Sequence, residues 1–392
     1  MPRRGVRCTV AVVFRPVWSA VTRASAALDR GVVRVMERRM AATSPTGPDL
    51  RDARPRMVEL AALYGDGTLG LPSRFFPEPE PAAVTVTDGG TAHGGPVEDL
   101  AYPSTYRPFL PAYRPEHHRW IENHTARVRL YRVDGRAVDG RGGPASARRP
   151  VMVCLHGWGG GAWWLEERAF SAGYWLARGF DVALFQLPFH GQRAPAGIGR
   201  GPRSGALFPS ANLVRTNEAF GQAIHDLRAL AGYLRAHGAS AVGAIGMSLG
   251  GYTTALWASV DPQLAFAVAM VPAVSMSGLM WRHGEDSPAR RRAAQAGVSE
   301  ELIASVFAVH APTTRRVLLP RARLMIVAGL GDQITPGDQA RRLHAHWGEC
   351  PIHWFPGGHL AQVGRGDAMR AVRQHLAAAG LGRPPRRPTG AA

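Results

Sequence analysis

The sequence predicts an α/β domain with a mainly parallel sheet and helices on both faces. Three observations support this. Six short apolar runs of strand length recur between residues 150 and 355. Segments with the 3.6-residue apolar period of a helix separate several of them. Glycine turns follow several runs, as strand-to-helix connections require.

Residues 1–56 are expected to be a basic amphipathic helix and a linker. Val10, Val13, Phe14, Val17, Val21, Leu28, Val32 and Val35 fall on one side of a helical wheel, and Arg15, Arg23, Arg30, Arg34 and Arg38 on the other. Such a helix lies on a membrane surface or packs on the main domain. A secretory leader is disfavoured, because the run Thr9–Phe14 is short, Arg15 interrupts it and no clear cleavage site follows. A mis-assigned start codon is a further reading of this segment. Residues 41–56 carry the Pro, Gly, Ser and Thr of the linker.

Residues 57–124 form a Pro/Gly-rich segment expected to wrap the surface. A short helix is expected at 57–64, irregular chain over 65–118 and an early strand at Ala82–Thr87. Thr125–Val133 alternates Arg with apolar residues, as a half-buried edge strand would. The main domain is placed at 125–380. Pro150–Leu155, Phe180–Leu187, Ala241–Ile245, Leu264–Val271, Arg323–Ala328 and Ile352–Phe355 are its strands. Glu166–Arg178, Thr216–His237, Gly337–Trp347 and Asp367–Ala379 are its helices. Asp134–Arg149 reads as a polar loop, 272–320 as a helical insertion and 381–392 as a disordered tail.

The formal charge of +18 suggests nucleic acid, but all 47 Lys+Arg residues are Arg and lie scattered among abundant Ala, Gly and Pro. That pattern reflects GC-rich codons, and no nucleic-acid partner is expected. Cys8, Cys154 and Cys350 are far apart and form neither a disulfide framework nor a metal motif. No run is long enough to span a membrane. A cytoplasmic protein is expected, with peripheral membrane contact through residues 1–40 as an addition.

The chemistry centres on Gly246-Met247-Ser248-Leu249-Gly250, between an apolar run and a helical stretch. A serine on a sharp strand-to-helix turn projects its hydroxyl from the sheet edge, and the Leu249 amide faces a developing oxyanion. His156-Gly157-Trp158-Gly159-Gly160-Gly161 follows an earlier strand, and the amide of Trp158 or Gly159 is its second donor. Asp332 follows the Arg323–Ala328 run after Gly331, and His359 follows the last run after Gly357-Gly358. A base must sit near the serine and an acid must orient the base, and the chain order Ser248, Asp332, His359 suits one architecture.

These motifs resemble those of the α/β-hydrolase superfamily over roughly residues 125–380. Leu187-Pro188-Phe189-His190-Gly191-Gln192-Arg193 and Trp347-Gly348-Glu349-Cys350 are similar to segments of an abhydrolase-domain group within it. The resemblance implies a serine esterase or lipase-like enzyme acting through an acyl-serine ester, without metal or organic cofactor. It also implies that 272–320 is a lid. Met276 and Trp281 in that insertion are candidate pocket residues. His190 and Arg193 line the site or merely hold their loop. The expected partner is a small-molecule ester with an apolar part. An acyltransferase and a non-catalytic binding protein of the same fold are the alternatives.

Overall fold

The computed structural model describes residues 16–43, 52–133, 148–196, 204–283, 285 and 287–382. Among these, nine strands build one sheet. They are β1 (Thr85–Ala92), β2 (Gly95–Pro103), β3 (Thr125–Tyr131), β4 (Pro150–Leu155), β5 (Asp181–Phe185), β6 (Ala241–Met247), β7 (Ala267–Met270), β8 (Leu324–Gly329) and β9 (Ile352–Phe355). Their spatial order is β1-β2-β3-β5-β4-β6-β7-β8-β9. β4 to β9 pair in parallel, and β1, β2 and β3 add antiparallel strands at one side.

The helices are α1 (Pro16–Thr43), α2 (Ala53–Gly65), α3 (Arg114–Arg119), α4 (Trp163–Ala169), α5 (Ala172–Leu176), α6 (Leu213–Ala236), α7 (Leu249–Ala258), α8 (Met276–His283), α9 (Pro288–Gln295), α10 (Glu300–Phe307), α11 (Gly337–His346) and α12 (Arg365–Ala378). Because strand side chains alternate, β4 feeds two cores. Val151, Val153 and Leu155 face α6, α7 and α11, while Met152 and Cys154 face α5 and α12. Both faces are therefore covered, as a parallel sheet requires.

β4 is the topological switch, since the chain builds out to β5 on one side and β6 on the other. Ligand crevices open at the carboxyl ends of strands at such a point. Leu155 pairs with Gly246, so the loop leaving β4 emerges beside the end of β6.

Four expectations need correction. Thr125–Val133 is not an edge strand, because β3 pairs with β2 and β5. The segment 65–118 is not merely irregular, because it contains the β1–β2 hairpin. His93 and Gly94 both have positive φ (54° and 79°) and make a two-residue turn whose twist suits a hairpin. Pro103 ends β2, and Pro96, the second residue of β2, still accepts Arg132 N at its carbonyl (3.0 Å). The expected helix Glu166–Arg178 is two helices, broken at Ser171 (φ 54°). On one straight helix Phe170 and Trp175 would point about 140° apart, whereas the break lets both enter the same core.

The fourth correction concerns α1. Of its expected apolar face Val21 and Val32 are half-buried, and the fully buried residues come from the adjoining side of the helix. Ser25, Ala26 and Asp29 are buried, while Leu28 is 49% exposed. The expectations for Val10, Val13, Phe14 and Arg15, for most of the loop 134–149, and for the tail from 383 onward lie outside the described residues.

Candidate active site

Ser248 stands between β6 and α7 with φ 57° and ψ −113°. A non-glycine residue held there stores local strain. Its flanking glycines are sterically required. A Cβ on Gly250 would overlap the Leu155 carbonyl, and one on Gly246 would overlap the backbone of Gly250. The Leu249 amide opens α7, where no intrahelical acceptor exists for it.

The loop after β4 runs alongside. A Cβ on Gly157 would lie 3.5 Å from that of Ser248. Gly160 N donates to Gly157 O at 3.1 Å, and Gly159 has φ 78°. Trp158 and Gly159 are thus the central residues of a tight turn, and the turn bond uses neither of their amides. Three groups hold the loop. Gly161 N donates to Glu166 Oε1 (2.9 Å), the Ser204 hydroxyl donates to Gly160 O (2.6 Å), and Gln186 Nε2 donates to Gly161 O (2.6 Å). Trp158 Nε1 reaches Gly205 O at 2.6 Å. His156 donates from Nδ1 to Gly157 O and accepts Leu187 N–H at Nε2. Burial pushes its pKa down to about 4, so it is a neutral strut.

Asp332 follows β8 and is buried. Its Oδ1 accepts the amides of Ile334 (2.9 Å) and Thr335 (2.7 Å). Its Oδ2 lies 2.8 Å from His359 Nδ1 and accepts the Thr335 hydroxyl at 2.9 Å. A carboxylate at Nδ1 keeps the proton there and leaves Nε2 as a base. Burial, the largest influence on the imidazole, lowers its pKa. The Asp332 charge and hydrogen bond, together with the Asp29 charge, outweigh it, and the net direction is upward.

β9 is not adjacent to β6, so the loop after β9 must cross two strands to approach Ser248. Gln362 marks the crossing: its Nε2 donates to His359 O at 3.1 Å and lies 3.9 Å from Met247 Sδ. The base loop therefore reaches the residue before the serine.

The expected pocket residues lie elsewhere. His190 and Arg193 are both 0% exposed and cannot line an open pocket. His190 Nδ1 donates to Pro188 O, and Arg193 pairs with Asp226 at 2.7 Å. The reading in which they hold their loop fits this geometry. Met276 packs in the main core, and Trp281 lies half-buried against it under the Arg290 guanidinium. The insertion 272–320 folds as α8, α9 and α10, with α10 on α2 and α8. It is tied to α7, because Tyr252 Oη and His310 Nδ1 are 2.7 Å apart.

Sequence reasoning missed Thr335, Glu166, Gln362 and Asp29. Thr335 was the most legible of them, in Asp332-Gln333-Ile334-Thr335, where an acid caps amides two and three residues on. No local pattern marks the other three.

The sequence model of the α/β hydrolase fold family matches residues 150–297. An uncharacterized protein of Mycobacterium tuberculosis (strain CDC 1551 / Oshkosh) is 30% identical over 328 residues, which are 81% of this chain and 73% of that protein. The chain belongs to the α/β-hydrolase fold family. Among solved structures, acetyl xylan esterase 1 from Thermoanaerobacterium sp. JW/SL YS485 aligns with TM-score 0.50 and 15% identity, over 87% of this chain and 98% of that one. The acetyl xylan esterase from Paenibacillus sp. R4 gives the same score and identity over 86% and 98%. At such identity the likeness is one of fold. A second relative, from the H37Rv strain of Mycobacterium tuberculosis, matches at the same 30% identity and coverage. Among the described residues of this α/β-hydrolase-fold chain, no helix is long and apolar enough to cross a membrane.

Proposed function

We propose that this protein is a serine hydrolase that cleaves carboxylic esters through an acyl-serine intermediate. The observation that carries the reading is the Asp332–His359 pair (2.8 Å), with the His359 loop reaching back to Met247 beside the strained Ser248. Ser248 Oγ attacks the substrate carbonyl while His359 Nε2 takes its proton. The amides of Leu249 and of Trp158 or Gly159 receive the oxyanion. The imidazolium, held by Asp332, protonates the leaving alcohol. His359 then activates a water that releases the acid and restores the serine.

No step calls on a metal or organic cofactor. Trp158, 48% exposed beside the oxyanion turn, offers an apolar wall to an acyl or alcohol group. The insertion 272–320 serves as the lid in this reading. A fluorophosphonate probe is expected to add one phosphonyl group at Ser248, identified by peptide mass. Labelling that persists in Ser248→Ala would sink the assignment.

Peripheral membrane contact is a separate proposal. α1 exposes Leu28, Arg23, Arg30 and Arg34, and near its start Trp18 is 37% exposed. Aromatic and aliphatic residues mixed with Arg suit an anionic lipid surface. The protein is expected to co-sediment with phosphatidylserine vesicles at low salt and much less with phosphatidylcholine vesicles. Equal recovery with both would remove the idea.

A further inference from the structure

Asp29 is wholly buried, yet no basic side chain pairs with it among the described residues. Its carboxylate is instead surrounded by main-chain amides. Oδ2 accepts His359 N at 2.7 Å and Gln333 N at 3.2 Å, and Oδ1 accepts Leu360 N at 3.3 Å. A buried carboxylate needs such donors, and a cluster of N–H groups supplies them. The donors come from two loops that are remote in sequence. Gln333 follows Asp332 after β8, and His359 and Leu360 follow β9.

The approach of α1 depends on the small residues beside the site. A Cβ on Gly358 would lie 2.6 Å from Asp29 Oδ2, and one on Gly331 would lie 2.7 Å from the Thr22 carbonyl. The Thr22 hydroxyl also reaches Pro356 O at 2.9 Å. The two glycines that precede Asp332 and His359 therefore leave room for α1 as well as shaping their own turns.

We infer that Asp29 is a positioning residue of the active centre. It pins the acid-bearing loop to the base-bearing loop from a helix more than 200 residues away in sequence from either. The inference rests on the serine-hydrolase reading, since what it sets is the placement of the His359 imidazole on Asp332. A loose loop would let that pair drift, and such misplacement slows chemistry more than it weakens binding. Among the described residues, the charges acting on the imidazole are those of Asp332 and Asp29. Removing the second also eases deprotonation of His359.

The test uses the full chain with Asp29→Asn and Asp29→Ala. Hydrolysis of p-nitrophenyl acetate is expected to fall roughly tenfold in kcat with KM little changed. The acid limb of the kcat/KM profile is expected to move to lower pH. Hydrogen exchange, read in a Ser248→Ala background, should speed up in peptides spanning 329–335 and 356–363. If the Ala variant does not fold, the near-isosteric Asn variant decides. An Asn variant with wild-type rate, acid limb and exchange would overturn the inference and leave the hydrolase reading standing. A wild-type chain without Ser248-dependent turnover would overturn the hydrolase reading, and exchange would still show whether Asp29 pins the loops.

Discussion

Ser248→Ala is expected to lower kcat on an activated ester by about 10⁴-fold or more while leaving KM within a few-fold. The nucleophile and its base act as one unit, so His359→Ala should cost about as much, and the double variant little more. Folding should be almost unaffected, because Ser248 sits at φ 57° and its side chain makes no capping hydrogen bond on α7, so alanine removes none. The pH profile adds a signed expectation. Catalysis needs His359 neutral, and its pKa lies above the ordinary histidine value. Activity is therefore full above that raised pKa and lost as pH falls through it. The stability supplied by protonated His359 beside Asp332 runs the other way: it is present below the unfolded-state pKa and lost as pH rises through the folded one. In Asp332→Asn the acid limb should move to lower pH. Stopped-assay rates from pH 5 to 9 on both proteins would check this, and an unmoved limb would contradict the assignment of Asp332.

Arg193→Met is expected to lower folding stability by about 3–5 kcal/mol, which is the cost of leaving a buried charge without its partner. Arg193 and Asp226 have side chains 0% and 1% exposed and meet at 2.7 Å. The guanidinium also donates to the carbonyls of Gln186 and Asn123, and Asp226 accepts the Ser104 hydroxyl. The pair thus joins the loop after β5, the turn before β3, the chain after β2 and helix α6. Methionine fills much of the volume but donates nothing, so Asp226 would keep only Ser104. The double variant Arg193→Met/Asp226→Leu should recover much of the loss, because it removes the stranded charge. Urea denaturation of wild type and both variants would check it. A single-variant loss below about 1 kcal/mol would show that the site relaxes or admits water.

Most strand positions were legible because each strand is a short apolar run, and burial on both faces needs little else. β4 and β9 fall on the expected residues, β3 and β5 to β8 differ by a few residues at their ends, β1 overlaps the expected early strand only at Thr85–Thr87, and β2 had no expected counterpart. The elements that were missed were those whose cause lies far along the chain. β3 reads as an edge strand until β1 and β2 pair beside it, and the hairpin signal was two residues, His93-Gly94, in a Pro-rich stretch. The α4–α5 break depends on where two aromatic side chains can be buried together. In the site, Ser248, Asp332 and His359 each stand beside a glycine turn after a strand, which is a local signature. Glu166, Gln362 and Asp29 have none, because their partners are amides and carbonyls on other loops.

α1 shows the division most plainly. The helix itself follows from local spacing, and so does the mixture of valine and arginine along it. The buried side is the one that carries Asp29, whose carboxylate meets three main-chain amides of the loops after β8 and β9. Sequence alone determined the strands β4 to β9 in order, the turn that carries Ser248 and the chain order of the candidate acid and base. Only the tertiary structure decided that the loop of His359 reaches back across two strands, that His190 and Arg193 are buried struts, and that α1 lies against the loops of Asp332 and His359. Periodicity and turn chemistry act over a few residues and can be read along the chain, whereas satisfying buried polar groups depends on which distant atoms the fold brings within about 3 Å of one another.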